Sequence, residues 1–260
     1  MAGARLIVSC FVRRLAAAWL GLALAGAAAA QGGLFSEHNG GPPVAGSGRI
    51  VTEPRAVPPL RAVHLQSAMH LVVRQRAREA VEVRADDNLL ALVETRVTER
   101  DGLPTLEIAL RRGTGYATRE RIVVTVDVVT LEALRVSGAG DALAEGLKVG
   151  GLKVRLDGSG DVALRGLEAQ SLALALAGSG DVQASGRAGA LAVSITGSGG
   201  VAASELPADR VDVSIAGSGD AQVHARRTLA VSIAGSGDVT YTGEATVSQA
   251  VAGSGTVSRR

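Results

Sequence analysis

The sequence predicts an all-β chain: a right-handed β-helix, or β-solenoid, built from Gly-Ser-Gly-Asp rungs of about 20 residues. Three observations carry that reading. Gly-Ser-Gly or Gly-Ala-Gly recurs at Gly138, Gly158, Gly178, Gly197, Gly217, Gly235 and Gly253, at spacings of 20, 20, 19, 20, 18 and 18 residues. An alternating strand runs ahead of the glycines, as in Leu152-Lys153-Val154-Arg155-Leu156 and Leu229-Ala230-Val231-Ser232-Ile233, and a shorter alternation follows them, as in Val162-Ala163-Leu164. Composition agrees: of 260 residues 47% are apolar, only 2% aromatic, and 34 are glycine. Such a chain is too aliphatic for disorder, lacks the collagen period, and with one Cys holds no disulfide framework.

Residues 1–30 have the form of an export signal. Arg5, Arg13 and Arg14 precede an apolar stretch from Leu15 to Ala28, and Ala28-Ala29-Ala30 offers a cleavage site ahead of Gln31. The stretch is short and Ala-rich for a permanent span, so no membrane span is expected after cleavage. Cys10 lies ahead of it and cannot become a lipidated N-terminus, and no translocator barrel or second apolar segment is read farther on. Processing also changes the charge. Three of the 27 Lys and Arg leave and none of the 25 acids does, giving 24 − 25 = −1. A basic chain suited to nucleic acid becomes a neutral one, and nucleic acid is excluded as a partner.

Residues 31–45, with Pro42-Pro43, read as a flexible leader. The domain proper runs from 46 to 260, as an irregular β half (46–137) and a regular half (138–260). In the first half, strands are expected at Ala62–Leu65, His70–Arg74, Val81–Arg84, Leu106–Leu110 and Ile122–Val126. A short helix is expected over Asp87–Val93, capped by Asp86 or Asp87. In the second half, one inward column holds Leu152, Leu172, Leu191, Val211, Leu229 and Val247. The next holds Val154, Leu174, Val193, Val213, Val231 and Gln249, and a third Leu156, Leu176, Ile195, Ile215, Ile233 and Val251. One rung cannot bury its apolar face alone, whereas seven stacked at ~4.8 Å can, over about 29 Å.

The order of these phrases carries a resemblance. Gly46 to Arg49 opens the domain, Val81-Glu82-Val83-Arg84-Ala85-Asp86-Asp87-Asn88-Leu89-Leu90 and Leu106-Glu107-Ile108 follow, and a Val-rich strand precedes Leu131-Glu132-Ala133-Leu134-Arg135-Val136-Ser137-Gly138-Ala139-Gly140-Asp141 and the regular rungs. The chain after the leader resembles the "putative auto-transporter adhesin head domain", or GIN domain, of exported bacterial proteins. Val128-Val129 departs from it where Pro is common. The resemblance implies a β-helical fold and an adhesin-like role; it supplies no enzyme activity and no ligand.

Asp141, Asp161, Asp181, Asp220 and Asp238 follow five of the seven corners, with Gly200 and Thr256 in the other two places. In register, neighbours about 4.8 Å apart repel by about 0.9 kcal/mol in water and about 3.5 kcal/mol at an effective dielectric of 20. As turn formers, each would accept hydrogen bonds from N–H groups of its own Gly-rich turn. The alternatives are a calcium column, which Gly200 interrupts, and an acidic polysaccharide-cleaving cluster, which would be confined to one place rather than follow a repeat. No catalytic residue, cofactor site or resident metal is assigned. No Gly-Lys-Ser/Thr follows the glycines as in a phosphate loop, and His38, His64, His70 and His224 lack metal-ligand spacing. The repeated serines have no His and acid arranged around one of them. Arg111-Arg112 and Arg119 to Arg121 form a basic patch, read as a solvated hairpin loop able to steer anionic glycans. The sequence thus points to an exported, non-catalytic surface whose partner is an unidentified macromolecule, a cell-surface glycan or protein. A periplasmic structural or envelope-maintenance protein is the main alternative, and a carbohydrate-active enzyme the other.

Overall fold

In the computed structural model, which describes residues 35–39 and 42–260, the first glycines of the seven corners lie directly opposite one another. All of these pairings are parallel, and they build a β-solenoid of about 6 turns. The regular coils fall in the strands Ala133–Gly138, Lys148–Gly158, Val162–Gly178, Asp181–Gly197, Gly200–Gly217, Asp220–Gly235 and Thr246–Gly253. Through Leu229, Val231 and Ile233 the three inward columns are at most 3% exposed. Burying each such aliphatic side chain contributes about 1.5–3 kcal/mol. In the last coil the register persists but the cover does not: Val247 is half-buried, Gln249 exposed and Val251 41% exposed.

The variation in repeat length is absorbed away from the Gly-X-Gly corner. Register shifts fall between Leu164 and Leu167, Gln183 and Ser185, Ala203 and Pro207, and Ala208 and Arg210, all on the opposite side of the coil. The Gly-X-Gly corner itself is bonded coil to coil. Ser159, Ser179, Ser198, Ser218, Ser236 and Ser254 each donate their backbone N–H to the first glycine carbonyl of the preceding coil, at 2.9–3.0 Å.

The irregular half continues the same stack out of sequence order. Ala62–Leu65 lies parallel between Leu103–Leu110 and Ala133–Gly138, while His70–Gln75 lies parallel between Val123–Val128 and Asp141–Glu145. Residues 62–75 therefore form a coil of their own, with Gln66–Met69 at the corner that glycines occupy elsewhere. Antiparallel strands then close this end: Val93–Arg100 on Leu103–Leu110, and Ala80–Asp86 between Val123–Val128 and Ile50–Arg55. Antiparallel closure replaces the row of open donors and acceptors that a parallel edge presents.

Three expectations are corrected. Asp87–Val93 is no helix but a single 3₁₀ turn, Leu90–Leu92, with no side-chain cap. Asp86 ends a strand instead, 1% exposed, where its carboxylate accepts the Gly48 N–H at 2.6 Å and the Thr118 hydroxyl. With that carboxylate engaged and Val93 already in the next strand, too few residues remain for a helix. Part of the expected leader is paired: Phe35–Asn39 and Pro43–Ala45 flank Thr114–Thr118 as a three-stranded sheet. The loop read as solvated between the two arginine groups is therefore largely a strand, with Tyr116 only 1% exposed and its hydroxyl donating to the Ala68 carbonyl. The export-signal residues 1–30 lie outside the described residues.

Candidate functional site

The Asp column forms as its spacing predicts, but its hydrogen bonds run between coils. Asp141 Oδ1 accepts the backbone N–H of Asp161 at 3.2 Å, and Asp161 Oδ1 accepts that of Asp181 at 3.1 Å. Asp181 Oδ1 accepts the N–H of Gly200 at 2.8 Å. The pattern resumes from Asp220 to Asp238 at 2.9 Å and from Asp238 to Thr256 at 2.8 Å, where the Thr256 hydroxyl donates as well. Each carboxylate thus serves the next coil and not its own turn, and the Gly200 gap keeps its donor although it supplies no acceptor. Desolvation, then the charges of Asp141 and Asp181, raises the Asp161 pKa; desolvation also raises that of Asp181. Among the described residues, no three His, Cys, Asp or Glu side chains converge as a metal site requires.

These contacts make a specific test possible. Asp161→Asn with Asp181→Asn keeps both acceptors and removes two carboxylates whose native pKa values are raised. A raised acid binds more protons folded than unfolded, so its contribution to stability declines as pH rises from the unfolded value near 3.8 through the native one. The double variant should therefore fold normally, melt equal to or slightly above wild type at neutral pH, and lose that part of the acid-side gain. Calcium should move either protein by no more than a degree or two, against about 2–4 °C per kcal/mol for a chain of this size. A larger calcium-dependent rise in wild type, absent from the variant, makes the column a metal site.

The second polar constellation lies at outward positions of the strands Val93–Arg100, Leu103–Leu110, Ala62–Leu65, Ala133–Gly138 and Lys148–Gly158 and was not legible as a group. Arg96 pairs opposite Glu107, Glu107 opposite His64, His64 opposite Arg135, and Arg135 opposite Arg155. Five adjacent strands thus contribute one side chain each to a row across the strands. Glu107, 6% exposed, accepts from Arg96 Nε at 3.0 Å and Arg100 Nη2 at 2.7 Å, and these guanidiniums hold its pKa below the ordinary range. Asp157 accepts from Arg135 Nη2 and Arg155 Nε, both at 2.8 Å. His64, 5% exposed, lies between the two groups; burial, then Arg135 and Arg100, lowers its pKa to about 4. Its Nε2 is 3.0 Å from Ser137 Oγ and its Nδ1 3.2 Å from Gln66 Nε2. Since an amide nitrogen can only donate, Nδ1 is the acceptor and Nε2 carries the proton toward Ser137. The signal in the sequence was the outward parity of His64, Glu107, Arg135 and Arg155 in separate strands, and only the out-of-order coil aligns them.

Of the other candidates, His70 lies beside Asp141 and Arg121 with its pKa lowered by burial, and Arg121 pairs with Asp141 at 2.8 Å while stacking 4.8 Å from the Phe35 ring centre. The basic patch is therefore divided: Arg121 pairs with Asp141, and Arg111 with Glu94. His224 is half-buried on its strand, and the side chain of His38 lies outside the described residues.

The family model described as "Putative auto-transporter adhesin, head GIN domain" matches residues 59–245. A "putative adhesin" from Bacteroides fragilis has a crystal structure similar to this one with a TM-score of 0.76 at 24% identity, over 84% of this chain and 100% of that one. A "putative lipid binding protein" from Parabacteroides distasonis gives 0.68 at 20% identity, over 84% and 100%. A "putative adhesin" from Parabacteroides merdae gives 0.66 at 23%, over 84% and 98%. At these identities the likeness is one of fold. No curated protein matches the chain.

Proposed function

We propose that this chain, which belongs to the family described as "Putative auto-transporter adhesin, head GIN domain", is exported and acts as a non-catalytic binding module. One observation carries the reading: in-register stacking turns the outward positions of each coil into a flat, repeating surface. On one face of the later coils that surface is built mostly of short side chains, Ala192, Ser194, Thr196, Ser214, Ala230 and Ser232, with Asp212 in register between Ala192 and Ala230, all exposed. Side chains as short as these present backbone and hydroxyl at regular intervals and enclose nothing. The polar groups with chemical potential are engaged within the fold, the Asp column with the next coil's N–H groups and His64 with Ser137 and Gln66. Similar crystal structures of proteins described as adhesins support the reading. Among the described residues no helix is long and apolar enough to cross a membrane.

The test is location together with attachment. Cells producing the protein are fractionated and surface-labelled, and the purified protein is offered to whole cells. Intact mass should place the mature N-terminus at or near Gln31, with the protein outside the cytoplasm and retained on cells. Retention of residues 1–30, or a cytoplasmic protein that attaches to nothing, overturns the reading. A periplasmic protein that binds no cells supports the envelope-maintenance alternative.

A further inference from the structure

We propose that the row of arginines on the early coils binds an acidic polysaccharide, a linear chain carrying carboxylate or sulfate groups, laid along the solenoid axis. The proposal rests on the binding-module reading and names its partner class. In each of two groups a single acid is shared by two arginines, Glu107 by Arg96 and Arg100, and Asp157 by Arg135 and Arg155. The acids are the sheltered members, with side chains 7% and 22% exposed, while the arginines are 37–63% exposed. Each group therefore keeps a surplus positive charge at the rim, on guanidiniums oriented from below. Such planar forks engage carboxylate and sulfate more selectively than mobile lysines.

The row is continuous in register from Arg96 to Arg155, four strand steps or about 19 Å at ~4.8 Å each. At its outer end it runs into a depression of about 780 Å³ lined by Gln66, Glu94, Arg96, Arg111 and Arg112 among others. Beyond Arg155 the next position in register is Ala175, and the basic character ends. The occupant follows from charge and from what the face lacks. Neutral glycans are gripped on aromatic platforms and single-stranded nucleic acids on stacking rings. The row holds no Trp, Tyr or Phe, and its one ring, the His64 imidazole, is 5% exposed and offers no stacking platform, so repeated charge is the feature available for recognition.

The full chain, as exported, is measured against immobilised polygalacturonate and heparin, with dextran as the neutral control and single-stranded DNA as the competing polyanion. Binding to one or both acidic polysaccharides is expected, weakening as salt rises. Arg135→Gln with Arg155→Gln should reduce affinity about tenfold, the scale of losing charge-assisted contacts. Arg226→Gln with Arg227→Gln, the same loss of charge at exposed positions on a later coil, should change little. Arg155→Gln alone leaves Asp157 paired with Arg135, so it should weaken binding without disturbing the melting transition and serves if the double variant is unstable. No binding to either polysaccharide, equal losses in both double variants, or preference for the DNA overturns the proposal. Whole-cell attachment separates the two readings. Cells held equally by wild type and row variant sink the row and leave the module, whereas polysaccharide binding without cell attachment does the reverse.

Discussion

Ile215→Asp abolishes the cooperative melting transition, and Ser214→Asp, one residue away, leaves it within a few degrees of wild type. Ile215 is 1% exposed, in register between Ile195 and Ile233 and enclosed by the same column on both sides. Removing a buried aliphatic side chain costs about 2–5 kcal/mol when the site cannot collapse. A carboxylate placed there without a partner adds several more, or takes up a proton at a similar cost. The sum rivals the roughly 5–15 kcal/mol that holds a domain together. In a stack where each coil contacts only its neighbours, the damage divides the molecule and leaves the last coils without a base. Ser214 faces outward and is exposed, next to Ser194 and Ser232, with no acid in its own row on those coils. Thermal unfolding followed by circular dichroism decides the matter, and coincident transitions for the two variants would mean the inward face is wrongly assigned.

That contrast rests on a part of the fold written plainly in the sequence. From residue 138 onward each coil repeats its predecessor, so period-two alternation fixes the buried face and the glycine spacing fixes the register. Leu156, Leu176, Ile195, Ile215 and Ile233 align from the glycine spacing alone. The earlier half was legible as strands but not as topology. Ala62–Leu65 and His70–Gln75 sit in the stack after Leu103–Leu110 and Val123–Val128, and no local pattern records that order. It follows from which edges remain free once the antiparallel strands close the end. The pairing of Phe35–Asn39 and Pro43–Ala45 was not legible, because the strand they flank lies some 80 residues away, and Pro43 fits an edge where no N–H is required. The Asp column was legible in position but not in partner, since a side chain can reach its own turn or the next coil with equal ease. The arginine row was invisible as a unit, its members drawn from five strands that alternate in sequence with unrelated segments.

The glycines are where repetition becomes a steric requirement, and Gly180→Ala is the sharpest test of it. A Cβ on Gly180 would lie 2.0 Å from the Gly160 carbonyl oxygen and 3.0 Å from Leu156 Cδ2. Backbone cannot yield there without separating two coils, because Gly180 also donates its N–H to the Gly158 carbonyl at 3.2 Å and Ser179 donates to the same oxygen at 3.0 Å. Overpacking in tight interiors ordinarily costs about 1–3 kcal/mol, and more where the obstacle is main chain and not a side chain that can rotate. Gly166 provides the comparison. It has a positive φ of 63° but nothing within 4 Å of the added carbon, so Gly166→Ala meets only the left-handed backbone penalty of about 1–2 kcal/mol. At about 2–4 °C per kcal/mol, Gly166→Ala should lower the melting temperature by a few degrees. Gly180→Ala should lower it several-fold further, or yield a protein that does not assemble its middle coils. Similar shifts for the two would show that these corners need glycine for its dihedral freedom alone, and that close backbone approach between coils is not what the repeated glycines secure.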